Sequence, residues 1–554
     1  MAAGLVAIGI SGSAILTACA PAAAPTPAPQ AAAPTPRPAA QSIPTPQPTQ
    51  AVQPRYGGTV TAVAIANPDH LDAQQTGSIN TSILVAPAYN NLVYLGSQEG
   101  DPTVAQADLA EKWDISNGGL TYTFKIRQGV RFHDGTPLTA NDVAFNLQRM
   151  KSPPKGVQSN VAYALVAVDK IEATGNDTVV VTMKQPFAPF MANLLNDQMP
   201  MYSKAYVEKQ GDMKTTVMGT GPFKFKSYTP SSTFELVKND DYWAKGRPYL
   251  DGISFVIIKD AATRLAALRT DRAQLSGRVF GALTPTEAAS LKKDAPAFTF
   301  NPSPSVIGPF LFMNMRVAPF TDLRVRKAVF LAIDRQAAIK VIAQGEGLLG
   351  NYFPIQGWGV PPEELAKMPG FRQPKDQDIA EAKRLLSEAG FPNGFSLKLL
   401  SRNNEVTKTA AIFTTDQLSR IGVTATVEVL EDAVFFDTGA KGQQQATVFT
   451  PAVLTGDPSD IGRNIAPGSP RNFTGNDKDP KLNELWDKQM STVDEKARRA
   501  VVQDLERYLF NEEVPAVPLV WPISSIAVSP RVRGFTTGVT DYANNRHQRT
   551  WLTP

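Results

Sequence analysis

The sequence has very few residues of the types that form cross-links or bind transition metals. It contains one cysteine, Cys19, and three histidines, His70, His133 and His547, in 554 residues. One thiol cannot form an intramolecular disulfide, so the hydrophobic core alone must hold the fold together. No two histidines have the spacing of zinc ligands on a helix. We therefore expect no metal site and no bound cofactor.

Long apolar runs and blocks of like charge are also missing. After Cys19, no run approaches the roughly 20 apolar residues that a membrane-spanning helix needs. Lys and Arg number 55 against 51 Asp and Glu, and this net charge of +4 is spread along the chain. Nucleic-acid binding needs a concentrated basic surface, so we expect no nucleic-acid partner. Beyond the N-terminal segment, about 535 residues of ordinary hydrophobicity predict two to four soluble domains.

Motifs of catalysis are either absent or lack their structural context. No Walker motif and no H-E-x-x-H sequence occurs, and no G-x-S-x-G follows the N-terminal segment. Residues 133–135, His-Asp-Gly, form a turn sequence before a helix cap, and we expect a structural role for them. Residues 345–350 match the dinucleotide fingerprint G-x-G-x-x-G. That site requires a strand, a turn and a helix, whereas we predict a helix before the motif and a proline-containing loop after it. We therefore expect a protein that is not an enzyme.

The N-terminal segment has the features of a secretory signal. Residues 5–16 form an apolar run of about 12 residues, too short to span a membrane but typical of the apolar part of a signal. The sequence LTAC at residues 16–19 resembles the lipobox of bacterial lipoproteins, in which the cysteine is lipidated and becomes the new N-terminus. This resemblance makes residues 1–19 the signal peptide and Cys19 the lipidation site.

Two features of this segment leave other interpretations open. An unpaired cysteine also occurs as a small buried hydrophobe, so Cys19 in an ordinary first helix is the alternative. No Lys or Arg precedes Leu5, although secretory signals begin with positive charge. We expect the natural start codon to lie upstream.

Residues 20–54 are rich in proline and nearly uncharged. They contain eleven prolines and a single charged residue, Arg37. Such a segment cannot bury a core and behaves as an extended, semi-rigid spacer. At about 3.1 Å per residue it could hold a domain up to roughly 100 Å from a membrane anchor. We predict that it is a disordered tether.

Strands and helices alternate through the rest of the chain. The patterns of hydrophobic residues, helix caps and turn residues predict strands at 59–63, 121–126, 223–226 and 514–520. They predict helices at 140–150, 321–334, 335–343, 377–389 and 494–511. No internal repeat is visible, which disfavours solenoids and propellers. The sequence therefore predicts a mixed α/β protein.

One long segment resembles a known family. Residues 120–150, LTYTFKIRQGVRFHDGTPLTANDVAFNLQRM, resemble the family 5 extracellular solute-binding proteins of bacterial ABC importers, the dipeptide and oligopeptide receptors. Further matching segments follow the family's order along the chain: YGGTVTAV from residue 56, GTGPFKFKSY from 219, NDDYWAKGRPYLDGISF from 239, PFTDLRVRKAVFLAIDRQAAI from 319 and AEAKRLLSEAGFPNGF from 380.

The resemblance implies a type II periplasmic-binding-protein-like α/β fold. Two lobes are joined by two crossing strands and close over the ligand, and an extra subdomain is inserted in the first lobe. The first lobe would comprise residues 55–312 with 523–554, and the insertion about 96–217. The second lobe would comprise 313–522, with the hinge near Met313 and Val520.

The resemblance also implies a transport function. The protein would capture short peptides and deliver them to the permease subunits and ATPase of an ABC importer. It would act as a monomer, anchored by lipid to the outer face of the cytoplasmic membrane, at a periplasmic or cell-surface location. Within the family the alternatives are nickel complexes, haem, glutathione, opines and oligosaccharides. Outside it, the alternative is a surface scaffold or chaperone without a transport role.

The resemblance suggests a binding site for the two charged ends of a peptide. A buried ammonium requires a carboxylate and a buried carboxylate requires a guanidinium. The segment Thr455-Gly456-Asp457 resembles the one whose aspartate holds the ligand's α-amino group, and Arg402 resembles the arginine that holds its carboxylate. The backbone from Leu454 to Gly456 would pair with the ligand as an added strand.

Two departures from the family pattern affect this site. Leu454 stands where the dipeptide receptors have tryptophan, and two asparagines follow Arg402 in place of proline and tyrosine. The alternative is that Asp457 is a turn residue before Pro458 and that Arg402 ends a solvated strand.

Overall fold

The computed structural model describes residues 53–95, 105–157, 159–277, 281–354, 357–469, 471–536 and 546–554. Residues 54–554 belong to one structural unit. The predicted signal peptide, Cys19 and the tether up to residue 52 lie outside the described residues. Within the described residues, no helix is long and apolar enough to cross a membrane.

The described strands alternate with helices along the chain. The strands are β1 (Thr59–Ala64), β2 (Val93–Leu95), β3 (Ala105–Ala107), β4 (Ala110–Ser116), β5 (Thr121–Ile126), β6 (Val168–Thr174), β7 (Thr178–Met183), β8 (Phe223–Thr229), β9 (Thr233–Lys238), β10 (Gly252–Ile257), β11 (Thr299–Pro304), β12 (Phe310–Met313), β13 (Gly347–Leu349), β14 (Ser396–Arg402), β15 (Thr424–Leu430), β16 (Ala446–Phe449), β17 (Ala516–Pro518), β18 (Val520–Val528), β19 (Val532–Arg533) and β20 (Trp551–Leu552).

The α-helices are α1 (Ile79–Val85), α2 (Ala140–Lys151), α3 (Phe190–Asn193), α4 (Lys204–Gln210), α5 (Ala261–Arg269), α6 (Pro285–Asp294), α7 (Leu323–Ala332), α8 (Arg335–Val341), α9 (Pro362–Leu365), α10 (Asp376–Glu388), α11 (Glu405–Ser419), α12 (Asp432–Ala440), α13 (Ser459–Ile465), α14 (Pro480–Ser491) and α15 (Glu495–Tyr508). A π-helical turn, Leu509–Glu513, continues α15.

Three larger sheets organise the described residues. One sheet has the strand order β1-β10-β9-β8, with β1 parallel to β10 and the other pairs antiparallel. An antiparallel sheet has the order β4-β5-β7-β6 and rests on a hydrophobic cluster drawn from residues 92–201. The third sheet has the order β15-β14-β16-β12-β17, and its cluster is drawn from residues 310–521. The second and third sheets are therefore built on separate cores.

Two connections carry the chain between sheets. Strands β11 and β18 are antiparallel partners, whereas β12 and β17 pair in the five-stranded sheet. The connection from β11 to β12 therefore runs beside the connection from β17 to β18. Strand β18 changes its partner on the way, because residues 520–522 pair with β13 and residues 523–528 pair with β11.

Most of the local predictions are confirmed. Strand β5 spans the predicted residues and alternates between partly buried threonines or lysine and buried Tyr122, Phe124 and Ile126. Helix α2 begins with a capping box between Thr139 and Asp142, as the sequence indicates. Helix α10 is followed by Gly390 in a left-handed conformation with φ of 90°.

Three local predictions were wrong in their extent. The helix predicted for 321–334 spans only α7, because Asp322 caps its start and the backbone is extended at Ile333. The strand predicted for 514–520 is two strands, since Val514 has a left-handed conformation and the chain changes sheets after Pro518. The helix predicted for 335–343 is α8, which ends at Val341.

Candidate functional site

The loop between β16 and α13 carries four of the predicted site residues, Leu454, Thr455, Gly456 and Asp457. Asp457 is only 4% exposed, and its carboxylate forms a two-pronged ion pair with Arg498 of α15. The distances are 2.5 Å from Nη1 to Oδ2 and 2.8 Å from Nη2 to Oδ1. Burial alone would raise the pKa of the Asp457 carboxyl, but the Arg498 guanidinium and the donors of Ser459 hold it below its usual value.

A second carboxylate, Asp460, stabilises the same loop. It accepts hydrogen bonds from the backbone N–H of Thr455 at 2.8 Å and from the Thr455 hydroxyl at 3.1 Å. Burial, together with the nearby negative charge of Asp457, raises the pKa of Asp460 to about 7 despite the bonds from Thr455. The pKa of the Asp457 carboxyl is therefore lowered, whereas that of Asp460, three positions further on, is raised.

A loop beside this site presents Trp358. Glu506 of α15 is fully buried and accepts backbone N–H groups from Tyr352 at 2.7 Å and from Val360 at 2.5 Å. These bonds fix both ends of the loop that carries Trp358, and burial raises the pKa of the Glu506 carboxyl to about 7. The guanidinium of Arg498 lies 5.2 Å from the centre of the Trp358 ring. Helix α15 thus orders both loops.

The loop of Asp457, together with Trp358 and Arg498, lines one side of a cavity of about 260 Å³. Thr455, Gly456, Asp457, Trp358 and Arg498 belong to the part of the chain that carries the five-stranded sheet. The opposite side comes from β3, β4, β5 and the region around α3. Its residues are Ala105, Trp113, Ile115, Tyr122, Ala188, Met191, Ala192 and Leu195. The cavity therefore lies between two separately built parts of the molecule.

The remaining predicted residues do not line this cavity. Arg402, at the end of β14, pairs with Asp432 at 2.8 Å and 2.5 Å and lies 5.3 Å from the centre of the Phe436 ring. Leu454 is buried beside Thr455. The structure brings Thr455, Gly456 and Asp457 together and places Arg402 against a different carboxylate.

A family comparison agrees with this architecture. The sequence model of the bacterial extracellular solute-binding proteins, family 5, matches residues 105–469, which is more than half of the chain. The chain belongs to this family.

Relatives of this family 5 protein include binding proteins of known ligand. The glutathione-binding protein GsiB of Escherichia coli K12 is 34% identical over 343 residues, which are 61% of this chain and 64% of GsiB. The match thus spans less than two thirds of that relative.

Solved structures give the fold. The periplasmic binding protein DppA of Helicobacter pylori, in complex with the peptide STSA, is 27% identical with a TM-score of 0.72, covering 90% of this chain and 98% of DppA. AgaA of A. tumefaciens R10, in complex with agropinic acid, is 25% identical with a TM-score of 0.71, covering 90% of this chain and 99% of AgaA. The family 5 protein has the type II periplasmic-binding-protein fold of these neighbours.

Sequence reasoning did not identify Arg498 and Trp358 as site residues of this family 5 protein. Arg498 shares a helix face with Val501, Val502 and Leu505, all of which are buried. An arginine on the apolar face of a helix is unusual unless it is paired, and this pattern is the signal that could have identified it. Trp358 lies in a loop whose position depends on the distant Glu506, and no local pattern indicates that contact.

In this family 5 protein, the side chain of His133 contacts the backbone of a neighbouring turn. The imidazole Nδ1 accepts the N–H of Gly219 at 3.4 Å, and Nε2 lies 3.2 Å from the carbonyl oxygen of Gly221. Burial lowers the pKa of His133 to about 4, so the ring is neutral at pH 7. Among the described residues, no cluster of His, Cys, Asp and Glu side chains could hold a metal ion.

A larger groove of about 680 Å³ lies elsewhere on this protein, against α7 and α10. Its charged lining residues include Arg372 and Arg384, which are already paired with Asp378 and Glu381. None of the predicted site residues lines this groove. The smaller cavity is therefore the better candidate for the functional site.

Proposed function

We propose that this family 5 protein captures a short peptide, or a small solute resembling one, in the cavity beside Asp457 and delivers it to the permease of an ABC importer. The observation that carries the proposal is the position of Thr455, Gly456 and Asp457. The sequence motif singles out these residues, and they line a cavity between two parts of the molecule. The role is binding and transport rather than catalysis.

The charged groups suit a zwitterionic ligand. Asp457 is already paired with Arg498, so the ligand's ammonium would share its carboxylate rather than meet a bare charge. Arg402 does not line the cavity, so it would bind the carboxylate only of a ligand that extends beyond the cavity, and it would then exchange Asp432 for that carboxylate. That exchange costs little, because Asp432 has a side chain that is 59% exposed and exposed ion pairs contribute little stability. The backbone of residues 454–456 would then pair with the ligand's backbone.

Closure would trap the ligand. In this proposal the first lobe comprises residues 55–312 with 523–554, the second lobe comprises 313–522, and the paired connections β11–β12 and β17–β18 form the hinge. The change of partner within β18 supports this placement. A ligand that touches both walls favours the closed state.

A lipid on Cys19 would keep the protein near its permease on the outer face of the cytoplasmic membrane. Expression of the Cys19→Ser variant tests this anchor. We expect the variant to move from the membrane fraction to the soluble fraction, because two or three acyl chains are needed for stable attachment. A Cys19→Ser variant that remains in the membrane fraction would contradict lipid anchoring at this residue.

Glutathione, itself a tripeptide, is the second candidate ligand. The 34% identity to the glutathione-binding protein GsiB favours it. Thermal unfolding with glutathione and with a dipeptide separates the two candidates, since at equal concentration the ligand that binds the folded state more tightly raises Tm further.

Calorimetry with a dipeptide and its N-acetylated form tests the role of Asp457. We expect Asp457→Asn to weaken dipeptide binding by roughly 2 to 5 kcal/mol, because the buried ammonium loses its charged partner. The N-acetyl dipeptide has no ammonium, so its weaker binding should be the same in wild type and variant. Equal losses for both ligands would show that Asp457 acts only on the fold. Mass spectrometry of solutes that copurify with the protein identifies the natural ligand.

A further inference from the structure

The cavity wall opposite Asp457 is apolar, and the proposed roles of the charged residues do not account for it. Trp113 and Ile115 lie two positions apart on β4, so both side chains are on one face of the sheet. Tyr122 is directly opposite Ile115 in the ladder between β4 and β5 and shares that face. Met191 and Leu195 extend the same surface. Together these five side chains form what we call the apolar wall.

The apolar wall is incompletely covered by protein at Ile115 and Trp113, whereas Tyr122 and Leu195 are already buried. Ile115 is 40% exposed and Trp113 is partly buried, whereas Phe124, the ladder partner of Trp113, is fully buried. Strand β4 is at the edge of its sheet, where exposed apolar side chains promote unwanted association. An apolar group from a ligand would remove this surface from water.

Three contacts around the cavity join its two sides in this structure. The N–H of Ala188 donates to the carbonyl oxygen of Met490 at 2.7 Å. Gly119 packs so closely on Val493 that an added Cβ would lie 2.6 Å from a methyl group. The guanidinium of Arg463 lies 4.7 Å from the centre of the Tyr163 ring. The cavity of about 260 Å³ is smaller than typical drug-sized sites, which begin at about 300 Å³.

We propose that the apolar wall binds a bulky apolar side chain of the ligand, so that this protein selects dipeptide-sized solutes with a hydrophobic side chain over wholly polar ones. The charged end of such a solute would lie at Asp457, on the other side of the cavity. The proposal rests on the peptide-binding function proposed above. It gives the apolar wall a role that the charged residues cannot supply. This role is to discriminate between the side chains of different ligands.

Calorimetric titration with leucyl-leucine and glycyl-glycine tests the apolar wall. We expect wild type to bind leucyl-leucine at least tenfold more tightly than glycyl-glycine. Ile115→Ser should weaken leucyl-leucine binding about tenfold and leave glycyl-glycine binding unchanged, since only the larger ligand buries this side chain. Ile412→Ser is the matched control, because Ile412 is 66% exposed on α11 and is not among the cavity residues. Met191→Ala provides a second wall variant if Ile115→Ser does not fold.

Three outcomes are distinct. A tenfold preference that falls in the wall variants and persists in Ile412→Ser supports the proposal. Equal binding of the two dipeptides, or an unchanged preference in the wall variants, overturns it while leaving peptide binding intact. Binding of neither dipeptide to wild type overturns both this proposal and the peptide-binding function.

Discussion

Individual carboxylates around the candidate site differ sharply in their electrostatic environment. Asp457 and Arg498 form a buried pair with side-chain exposures of 2% and 4%. Removal of one partner from such a pair typically costs about 3 to 5 kcal/mol of folding stability, because the other charge is left buried and unpaired. Both Asp457→Ala and Asp457→Asn leave the Arg498 charge unpaired, but Asp457→Asn retains the shape of the side chain and one acceptor, so it should disturb the loop less.

Asp460 should make the fold less stable as the pH rises. Its pKa is about 7 in the folded state, compared with an ordinary value of 3.8, so the folded state holds an extra proton between these pH values. Stability is then lost with rising pH by up to about 1.4 kcal/mol per pH unit in this window. Asp460→Asn cannot titrate, and we expect its unfolding free energy to decline less than that of wild type between pH 5 and 7. Urea unfolding at several pH values measures the difference.

The exposed Asp241→Asn variant is the control for this experiment. It removes one carboxylate at the surface, and we expect its pH dependence to follow wild type. Parallel pH profiles for wild type and Asp460→Asn would contradict the assignment of a raised pKa to Asp460.

At the residue scale, the sequence singled out some of the residues that line the candidate cavity and not others. Thr455, Gly456 and Asp457 are contiguous, so a short motif could identify them. Arg498 lies 41 positions from Asp457, and their contact depends on how α15 packs beside the loop. Arg402 ends β14, which was the alternative to its role in binding, and its pairing with Asp432 depends on the position of α12, which the sequence did not indicate.

At the element scale, two glycines of the G-x-G-x-x-G motif, Gly347 and Gly350, serve close packing. A Cβ added at Gly350 would lie 2.3 Å from the carbonyl oxygen of Pro518, and one at Gly347 would lie 3.0 Å from a methyl group of Val520. The motif therefore allows β13 to approach the connection between β17 and β18. Steric need at this crossing explains two of the three glycines, whereas Gly345 adopts a positive φ of 92°, which favours glycine.

Gly308 lies on the other connection and is equally restricted. An added Cβ would lie 2.7 Å from the Trp521 ring and 2.9 Å from the carbonyl oxygen of Val520. We expect Gly308→Ala to destabilise the protein by about 1 to 3 kcal/mol, because Trp521 is fully buried and cannot move aside. Thermal or urea unfolding measures the loss.

Gly77→Ala is the matched control for this substitution. Its added Cβ would meet only atoms of Asn160, at 3.8 Å or more, so we expect stability close to wild type. A Gly308→Ala variant as stable as Gly77→Ala would show that the crossing has more room than the structure indicates.

Elements with local signals were the most predictable. Thr139 and Asp142 cap α2 through contacts within one turn, and the alternation of β5 depends on its own residues. The division of the strand predicted for 514–520 could not be foreseen. It depends on which sheet supplies the partner of each residue, and that is a long-range property.

At the scale of the whole molecule, the close approach of Gly119 to Val493 offers a direct test of lobe closure. An added Cβ at Gly119 would lie 3.6 Å from the Cβ of Val493, which is within the range for a disulfide. We expect Gly119→Cys with Val493→Cys, in a Cys19→Ser background, to form a disulfide on oxidation. The oxidised protein should neither release a bound dipeptide nor take up an added one, and reduction should restore exchange.

Gly118→Cys with Val493→Cys is the control pair, because a Cβ at Gly118 has no atom within 4 Å among those described. We expect this pair to retain free thiols under the same oxidation. Thiol titration and calorimetry before and after reduction measure both properties. Free ligand exchange in the oxidised first pair would show that the cavity does not need to open there.

The two walls of the cavity rest on different hydrophobic clusters. The apolar wall is supported by the cluster from residues 92–201, and the loop of Asp457 by the cluster from residues 310–521. Substitutions that reshape one wall therefore need not disturb the packing beneath the other. In the proposed binding mode, side-chain preference can consequently diversify during evolution, or be redesigned, without loss of the contact with the ligand's charged end.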